Sequence, residues 1–363
     1  MENNKIKLSE AIAIILAVFF AHSILTIPKD ILNITKSGTI LNIIFVSVIA
    51  LLVVTLVYKL MSKFKGEDIL DISEYLGGTI FKNLIGFVFI TYFLISSSLL
   101  LRNFSECLKI IYFPVTDLIF IILSFVIVLC IVGKFKLNVI AKVSLMLAPL
   151  LIISILFIFF SNIGNFDFNN IFPIIGDSMF NTFILGLTNL GAFGGIAFIY
   201  FLPTLLEKNS DFKKVSILSI GIGALYILLY ISLILFMFDF LIEISELMPI
   251  YSASRYIEYG AFFQRLESSF LLLWIMQIVC YLSLCLIFSL YIFKKITKIE
   301  TKKPLVLSFC LIMFGISFSP KNYASATFFQ SNIYEYVVLA LSFVLIPSIL
   351  ILANLKKKIK EKL

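Results

Sequence analysis

The stretch FFAHSILTIPKD, Phe19–Asp30, holds the chain's one histidine, His22, and a proline, Pro28, inside an otherwise apolar run. Proline within a helix removes a backbone donor and clashes with the preceding turn. In hydrocarbon, backbone groups freed in this way need partners, so a broken helix has to face protein or water there. The stretch therefore predicts a first span that unwinds around Ala21–Pro28, resumes as a short half-helix and lines a cavity.

The rest of the chain places this stretch in a bilayer. Of 363 residues, 61% are hydrophobic and 14% charged, and the mean hydropathy is +1.10. Charge at that level is about half the usual share of a soluble domain. Apolar runs of about 20 residues, enough to cross a membrane, recur along the chain. They are too long and alternate too little for barrel strands. Ten spans are predicted, at 8–27, 39–61, 82–105, 115–133, 138–161, 181–202, 214–238, 268–293, 304–319 and 334–354. The N-terminal MENNKIKLSE reads as a polar lead into a permanent span, not as a cleaved signal. Cys107, Cys130, Cys280, Cys285 and Cys310 lie in or beside apolar runs without metal-ligand spacing, as small apolar fillers.

Charge sets the expected orientation. Of the 29 Lys and Arg, 22 fall in segments on one side of the ten spans and seven on the other. The positive-inside rule then places both termini in the cytoplasm. The net charge of +8 faces anionic lipid, and no nucleic-acid surface is required. Two long segments on the opposite side, Asn162–Phe180 and Phe240–Glu267, read either as short interfacial helices or as solvated loops.

The sixth span carries a second interruption. FILGLTNLGAFGGIAFIYFLP, Phe183–Pro203, contains Gly186, Gly191, Gly194, Gly195 and Asn189. Glycine costs about 1 kcal/mol relative to alanine in a helix interior. The cluster marks either an unwound backbone or close helix packing through small residues. Spans 1 and 6 each open a set of five, and five is odd, so the second set enters from the opposite side. The expected fold is all-α and integral to the membrane, one domain of two inverted halves, approximately 8–161 and 181–354. It is a LeuT-like 5+5 repeat with broken helices 1 and 6 and a substrate site near the midplane. Half-helix N-termini would face a carboxylate, and unwound carbonyls an ammonium or cation.

Other polar groups within the spans are sparse. Ser96, Ser97 and Ser98 lie in span 3, and Gln277, Tyr281 and Ser283 in span 8. The serines read first as helix-to-helix hydrogen bonding and second as cavity lining. Arg102 and Glu106 are spaced i,i+4 as an interfacial ion pair. His22 either bonds a freed carbonyl or relays protons. An enzyme is not expected: there is no carboxylate pair within the predicted spans, no Ser-His-Asp arrangement and no metal or cofactor motif. GAFGG lies in an apolar span and lacks the Lys-Ser/Thr of a phosphate loop.

Together these residues resemble the spore germination permease family, the B subunits of GerA-type germinant receptors, within the amino acid–polyamine–organocation superfamily. The resemblance runs nearly end to end. It is carried by KLSEAIAIILAVFFAHSILTIP, FKGEDILDISEYLGGTIFKNLIG, LLLRNFSECLKIIYFP, YFLPTLLEKNSDFKK, QRLESSFLLLWIMQI and the lysine-rich tail. It implies a subunit of the spore inner membrane that assembles with a larger A subunit and a lipoprotein C subunit. It implies binding of a small germinant, often an amino acid, and signalling to those partners. By position, the implied pocket draws on Ala21, His22 and Ser23 of span 1 and Ser97 and Ser98 of span 3. Leu190, Gly191, Ala192, Phe193 and Gly194 of span 6 join them, with Gln277 and Tyr281 of span 8. The family tends to carry glycine where Ala21 stands, and His22 beside it is unusual. The alternative function is an amino-acid permease that works by alternating access with H⁺ or Na⁺ coupling.

Overall fold

A computed structural model of the chain describes residues 5–25, 27–238, 248–257, 266–299 and 303–361. Among the described residues, six helices are long and apolar enough to cross a membrane: Pro28–Met61, Ile69–Ile111, Leu137–Ser161, Asn209–Met237, Glu267–Thr297 and Tyr323–Lys360. Leu8–Ser23, Leu118–Val132, Phe180–Phe193 and Pro304–Ser317 are shorter apolar segments. Each predicted run overlaps one of these helical segments, six of them long enough to cross, and the clearest differences in extent are at the third run and the last.

The first difference is α4, which follows α1 (Leu8–Ser23), α2 (Ile27–Thr35) and α3 (Thr39–Met61). Helix α4 runs from Ile69 to Ile111, well beyond the predicted 82–105. Its first turns carry Asp71, Glu74 and Lys82, so an apolar window does not register them. Gly78 divides it at φ 76, a conformation that costs glycine little because it has no Cβ. Asp68 caps its start by accepting from the N–H groups of Leu70 and Asp71, at 2.9 and 3.2 Å. The second difference is the last run, which starts at Tyr323 and not near 334. It comprises α13 (Tyr323–Phe329), a π segment (Gln330–Tyr334), α14 (Glu335–Val338), a second π segment (Leu339–Leu345) and α15 (Ile346–Lys360).

Burial sorts the remaining helices. In α1, 13 of 16 residues are buried, as expected of a helix apolar all round and enclosed by others. It packs among α6 (Leu137–Ser161), α9 (Phe212–Met237) and α11 (Leu266–Thr297). Helix α5 (Leu118–Val132) is the opposite case, turning Phe120, Ile127 and Ile131 outward. Helix α12 (Lys303–Ser317) packs on α4 and α5.

Of the two long segments between spans, Asn162–Phe180 holds short 3₁₀ turns at Ile163–Asn165 and Phe168–Ile171. In Phe240–Glu267, α10 (Pro249–Arg255) is a short helix, and 240–247 and 258–265 lie outside the described residues.

At the end of the bundle where α1 begins, the chain is stitched by polar contacts. The Ile6 N–H donates to the Leu205 carbonyl at 2.9 Å, and the Glu207 N–H donates to the Ile6 carbonyl at 3.0 Å. Beside them, Lys295 pairs with Asp68 at 2.8 Å and with Asp71 at 2.6 Å. Tyr291 donates to Asp68 at 2.6 Å. These bonds fasten the start of span 1 to the end of span 6, and α4 to α11.

Candidate functional site

Span 1 is interrupted, a little later than predicted. Ala21, His22 and Ser23 remain helical and close α1, Ile24 and Leu25 form a turn in which the Leu25 N–H donates to the His22 carbonyl at 3.4 Å, and α2 begins at Ile27. The reason is local. Pro28 has no N–H for the Ile24 carbonyl, its i−4 partner. Placed second in α2, it costs that helix nothing, because first-turn donors have no intrahelical partner.

Span 6 departs much further from an α-helix. A π segment covers Phe180–Ile184, a 3₁₀ segment Leu185–Phe193, and two single turns follow, α7 (Ile196–Ile199) and α8 (Leu202–Leu205). The carbonyls released are taken up inside the protein. The Asn42 side chain, from α3, donates to the Thr182 carbonyl at 2.7 Å and to that of Gly186 at 3.1 Å. Asn189 donates to the Asn42 side-chain oxygen at 2.7 Å. Gly186 makes room for this, since a Cβ there would lie 2.2 Å from the Asn42 nitrogen. The Tyr200 hydroxyl donates to the Ser342 carbonyl, in the second π segment of the last run.

The two interrupted spans touch. The rings of Phe19 and Phe193 meet edge to face at 5.6 Å, and Gly195 lies against Ile15 and Phe19. Ten of the twelve candidate residues divide among three settings, and Ser97 and Ser98 join none of them. His22 and Tyr281 form the first: His22 Nε2 and the Tyr281 hydroxyl are 3.0 Å apart, and the Tyr281 hydroxyl also hydrogen-bonds Ser96 Oγ. Gln277, one turn before Tyr281 on α11, donates to the Ala17 carbonyl at 2.8 Å. Spans 1, 3 and 8 are therefore joined by polar side chains in a buried setting. Among the serines it is Ser96 that reaches this cluster. Ser97 bonds back to the Phe93 carbonyl at 2.7 Å, and the buried Ser98 Oγ has no partner.

The second setting is Leu190–Gly194, which packs on Phe19, Tyr92, Val338 and Glu335. Ala21 and Ser23 form the third, buried in α1, where Ser23 bonds back to the Phe19 carbonyl at 2.5 Å. A cavity of about 540 Å³ lies elsewhere, between α4, α12 and the last run, with apolar walls that include Phe87, Leu99, Phe329 and Val337. None of the twelve residues lines it.

Sequence reasoning missed one pair. Asp30 of α2 stands beside Glu335 of α14 and Ser331, and both carboxyls are buried. The expectation that the spans hold no carboxylate pair is therefore corrected. Asp30 lay beyond the predicted end of span 1, and Glu335 stands 305 positions later in the chain. An acid just past a helix-breaking proline and another opening an apolar run were the available signals. Arg102–Glu106 is an ion pair at 2.9 Å, as expected, with both side chains largely enclosed by the protein. Arg102 also donates to the Ser317 carbonyl at 3.1 Å.

A family model described as spore germination protein matches residues 5–326. The chain belongs to the spore germination protein family. Within it, the chain is similar to the spore germination protein YndE of Bacillus subtilis (strain 168), with 25% identity over 373 residues and 99% of each chain covered. The match takes in α1, the interrupted sixth span and α11, so the elements that carry His22, Leu190–Gly194 and Tyr281 all lie within it.

Proposed function

We propose that this spore germination family member is the germinant-sensing membrane subunit of a germination receptor. It binds a small germinant, an amino acid by class, where spans 1, 3, 6 and 8 meet near the bilayer midplane. It sits in the spore inner membrane with both termini cytoplasmic, in a LeuT-like 5+5 arrangement, and signals to an A subunit and a lipoprotein C subunit. The observation that carries this reading is the His22–Tyr281–Ser96 cluster at the end of α1, beside the interruption. An amino acid needs acceptors for its ammonium and donors for its carboxylate. The C-terminal carbonyls of α1 suit the first, and the N–H groups that open α2, with the Tyr281 and Ser96 hydroxyls, suit the second. A germinant entering there exchanges the His22–Tyr281 contact for contacts of its own. That gives it different affinities for two states of the protein, which signalling requires.

The test is a thermal-shift screen of the purified protein against the common amino acids, repeated with Tyr281→Phe. Binding stabilises the folded form by about 2.7 kcal/mol at a hundredfold excess over the dissociation constant. The expected result is a shift with one or a few amino acids that Tyr281→Phe abolishes, with loss of the matching germination response in spores. No shift with any of them, or a shift indifferent to Tyr281, overturns the site. The second reading, an amino-acid permease coupled to H⁺ or Na⁺, draws on the buried carboxyls Asp30 and Glu335. Concentrative uptake by the chain alone in proteoliposomes favours it.

A further inference from the structure

We propose that Asp30 and Glu335 form a proton-binding site, holding one shared proton at the junction of α2, the interrupted sixth span and the last helix run. The proposal goes beyond the germinant site and stands whichever function that site serves. The first ground is hydrogen-bond chemistry. An ionised carboxylate only accepts, so a hydrogen bond between two carboxyls requires a proton on one of them. Asp30 and Glu335 stand side by side, with Ser331 next to Asp30, so any bond between the two carboxyls has to carry that proton. The second ground is enclosure: Asp30 is 9% exposed and Glu335 8%. Two charges side by side in such a place repel strongly. The third is an unfilled position, since Asp30 Oδ2 is buried without a hydrogen-bond partner.

The groups around the pair come from several elements. Lys29, on α2 itself, acts on Asp30 electrostatically. Tyr323 of α13 feels the Asp30 charge, and behind it stand Cys107 and Glu106 of α4, with Glu106 tied to Arg102. Gly191 of the sixth span lies against Glu335, where a Cβ would come within 3.1 Å of the Glu335 Cβ. Glu335 is about 18 Å from the start of the run that begins at Tyr323, at 1.5 Å per residue, and so is deep in the bundle. Two π segments flank it, and such segments recur at functional sites. Removing the shared proton leaves two adjacent negative charges that push α2 away from α14. Gly191, packed on Glu335, brings that movement to the sixth span.

The experiment is infrared difference spectroscopy of the full chain in lipid, titrated between about pH 4 and pH 9, a range in which a lone carboxyl ionises near the lower end and is fully ionised by about pH 7. Wild type is compared with Glu335→Gln and Asp30→Asn. Both variants keep a donor for the remaining carboxylate, so both are expected to fold. The expected result is a protonated-carboxyl stretch in wild type at neutral pH that both variants lose and that disappears at higher pH. Melting temperature followed across the same range should fall as that stretch disappears in wild type and should flatten in Glu335→Gln. A wild-type spectrum without the band, or a band retained in both variants, overturns the proposal. The readout uses no germinant, so its failure is separate from failure of the sensing role.

Discussion

The two interrupted spans break in different ways. In span 1 the disturbance is short, confined between α1 and α2, with regular helix on both sides. In span 6 it extends from Phe180 to Leu205, and neither of its α-helical turns exceeds four residues. Freed carbonyls in span 6 are satisfied by Asn42 and held in place by the protein itself. Span 1 instead carries titratable side chains on both sides of its break, His22 and Asp30. The difference separates two roles. The span 6 backbone is a built, internally bonded scaffold, whereas span 1 is a joint whose neighbours can exchange partners. The following substitutions test that division.

The largest effect is expected at Asn42. Replacing it with Leu leaves the Thr182 and Gly186 carbonyls and the Asn189 amide without their partner. A buried polar group left unpaired costs about 1–3 kcal/mol, so Asn42→Leu should lose about 3 kcal/mol or more. Thermal denaturation of the purified protein reads this directly. A melting temperature equal to wild type would mean that span 6 does not depend on internal bonding, and the contrast between the spans would collapse.

Gly191 comes next. Gly191→Ala places a Cβ 3.1 Å from the Glu335 Cβ and 3.3 Å from its Cγ, so α14 has to give way. Overpacking of this kind costs about 1–3 kcal/mol. Gly194→Ala meets Tyr92 Oη at 3.3 Å and Val338 Cγ1 at 3.4 Å, both side-chain ends, and should cost less. The pair of variants sharpens what the span 6 glycines are for. If Gly194→Ala proves the more damaging, the close approach to Glu335 is not what selects glycine at 191.

How much of this was legible beforehand follows from the same contrast. The proline marked its break because its effect is local: the carbonyl it deprives lies four residues earlier. The glycines were ambiguous, because an unwound backbone and tight packing select the same residue. The structure has both, an irregular backbone and, at Gly186 and Gly191, close neighbours. Asn42 was invisible, since one asparagine in an apolar helix says nothing of which distant carbonyl it serves. Asp30 and Glu335 were missed because their meeting depends on tertiary packing alone. Ser96, Ser97 and Ser98 could not be ranked, since helix rotation decides which of them faces Tyr281. The charged start of α4 lacked an apolar signal, although Asp68 as its cap was there to be read.

Tyr281→Phe bears on the joint and not on the scaffold. It removes the hydroxyl that joins His22 to Ser96 and leaves the helices packed. One or two neutral hydrogen bonds contribute about 1–2 kcal/mol in total. The expected outcome is a modest fall in melting temperature, smaller than that of Asn42→Leu. A fall as large as the Asn42 variant's would show that span 1 is as rigidly built as span 6.

The smallest effect is expected at Pro28, the residue that first suggested the break. Pro28→Ala restores an N–H that can reach the Ile24 carbonyl, so a break caused by proline alone should heal, joining α1 and α2 with a gain in helical circular dichroism. Packing argues otherwise. Helix α1 is enclosed by α6, α9 and α11, and α2 is held from the far side by its packing on the sixth span. One restored donor, at about 0.5–1.5 kcal/mol, does not outweigh both attachments. Loss of the rigid ring costs a further 0.4–1 kcal/mol or so through the unfolded chain. The two contributions oppose each other, so the variant should melt within about 1 kcal/mol of wild type with unchanged helix content. A clear gain in helix would make proline the sole cause of the joint. An unchanged spectrum would assign the joint to the contacts on either side of it, those that a guest or a proton can alter.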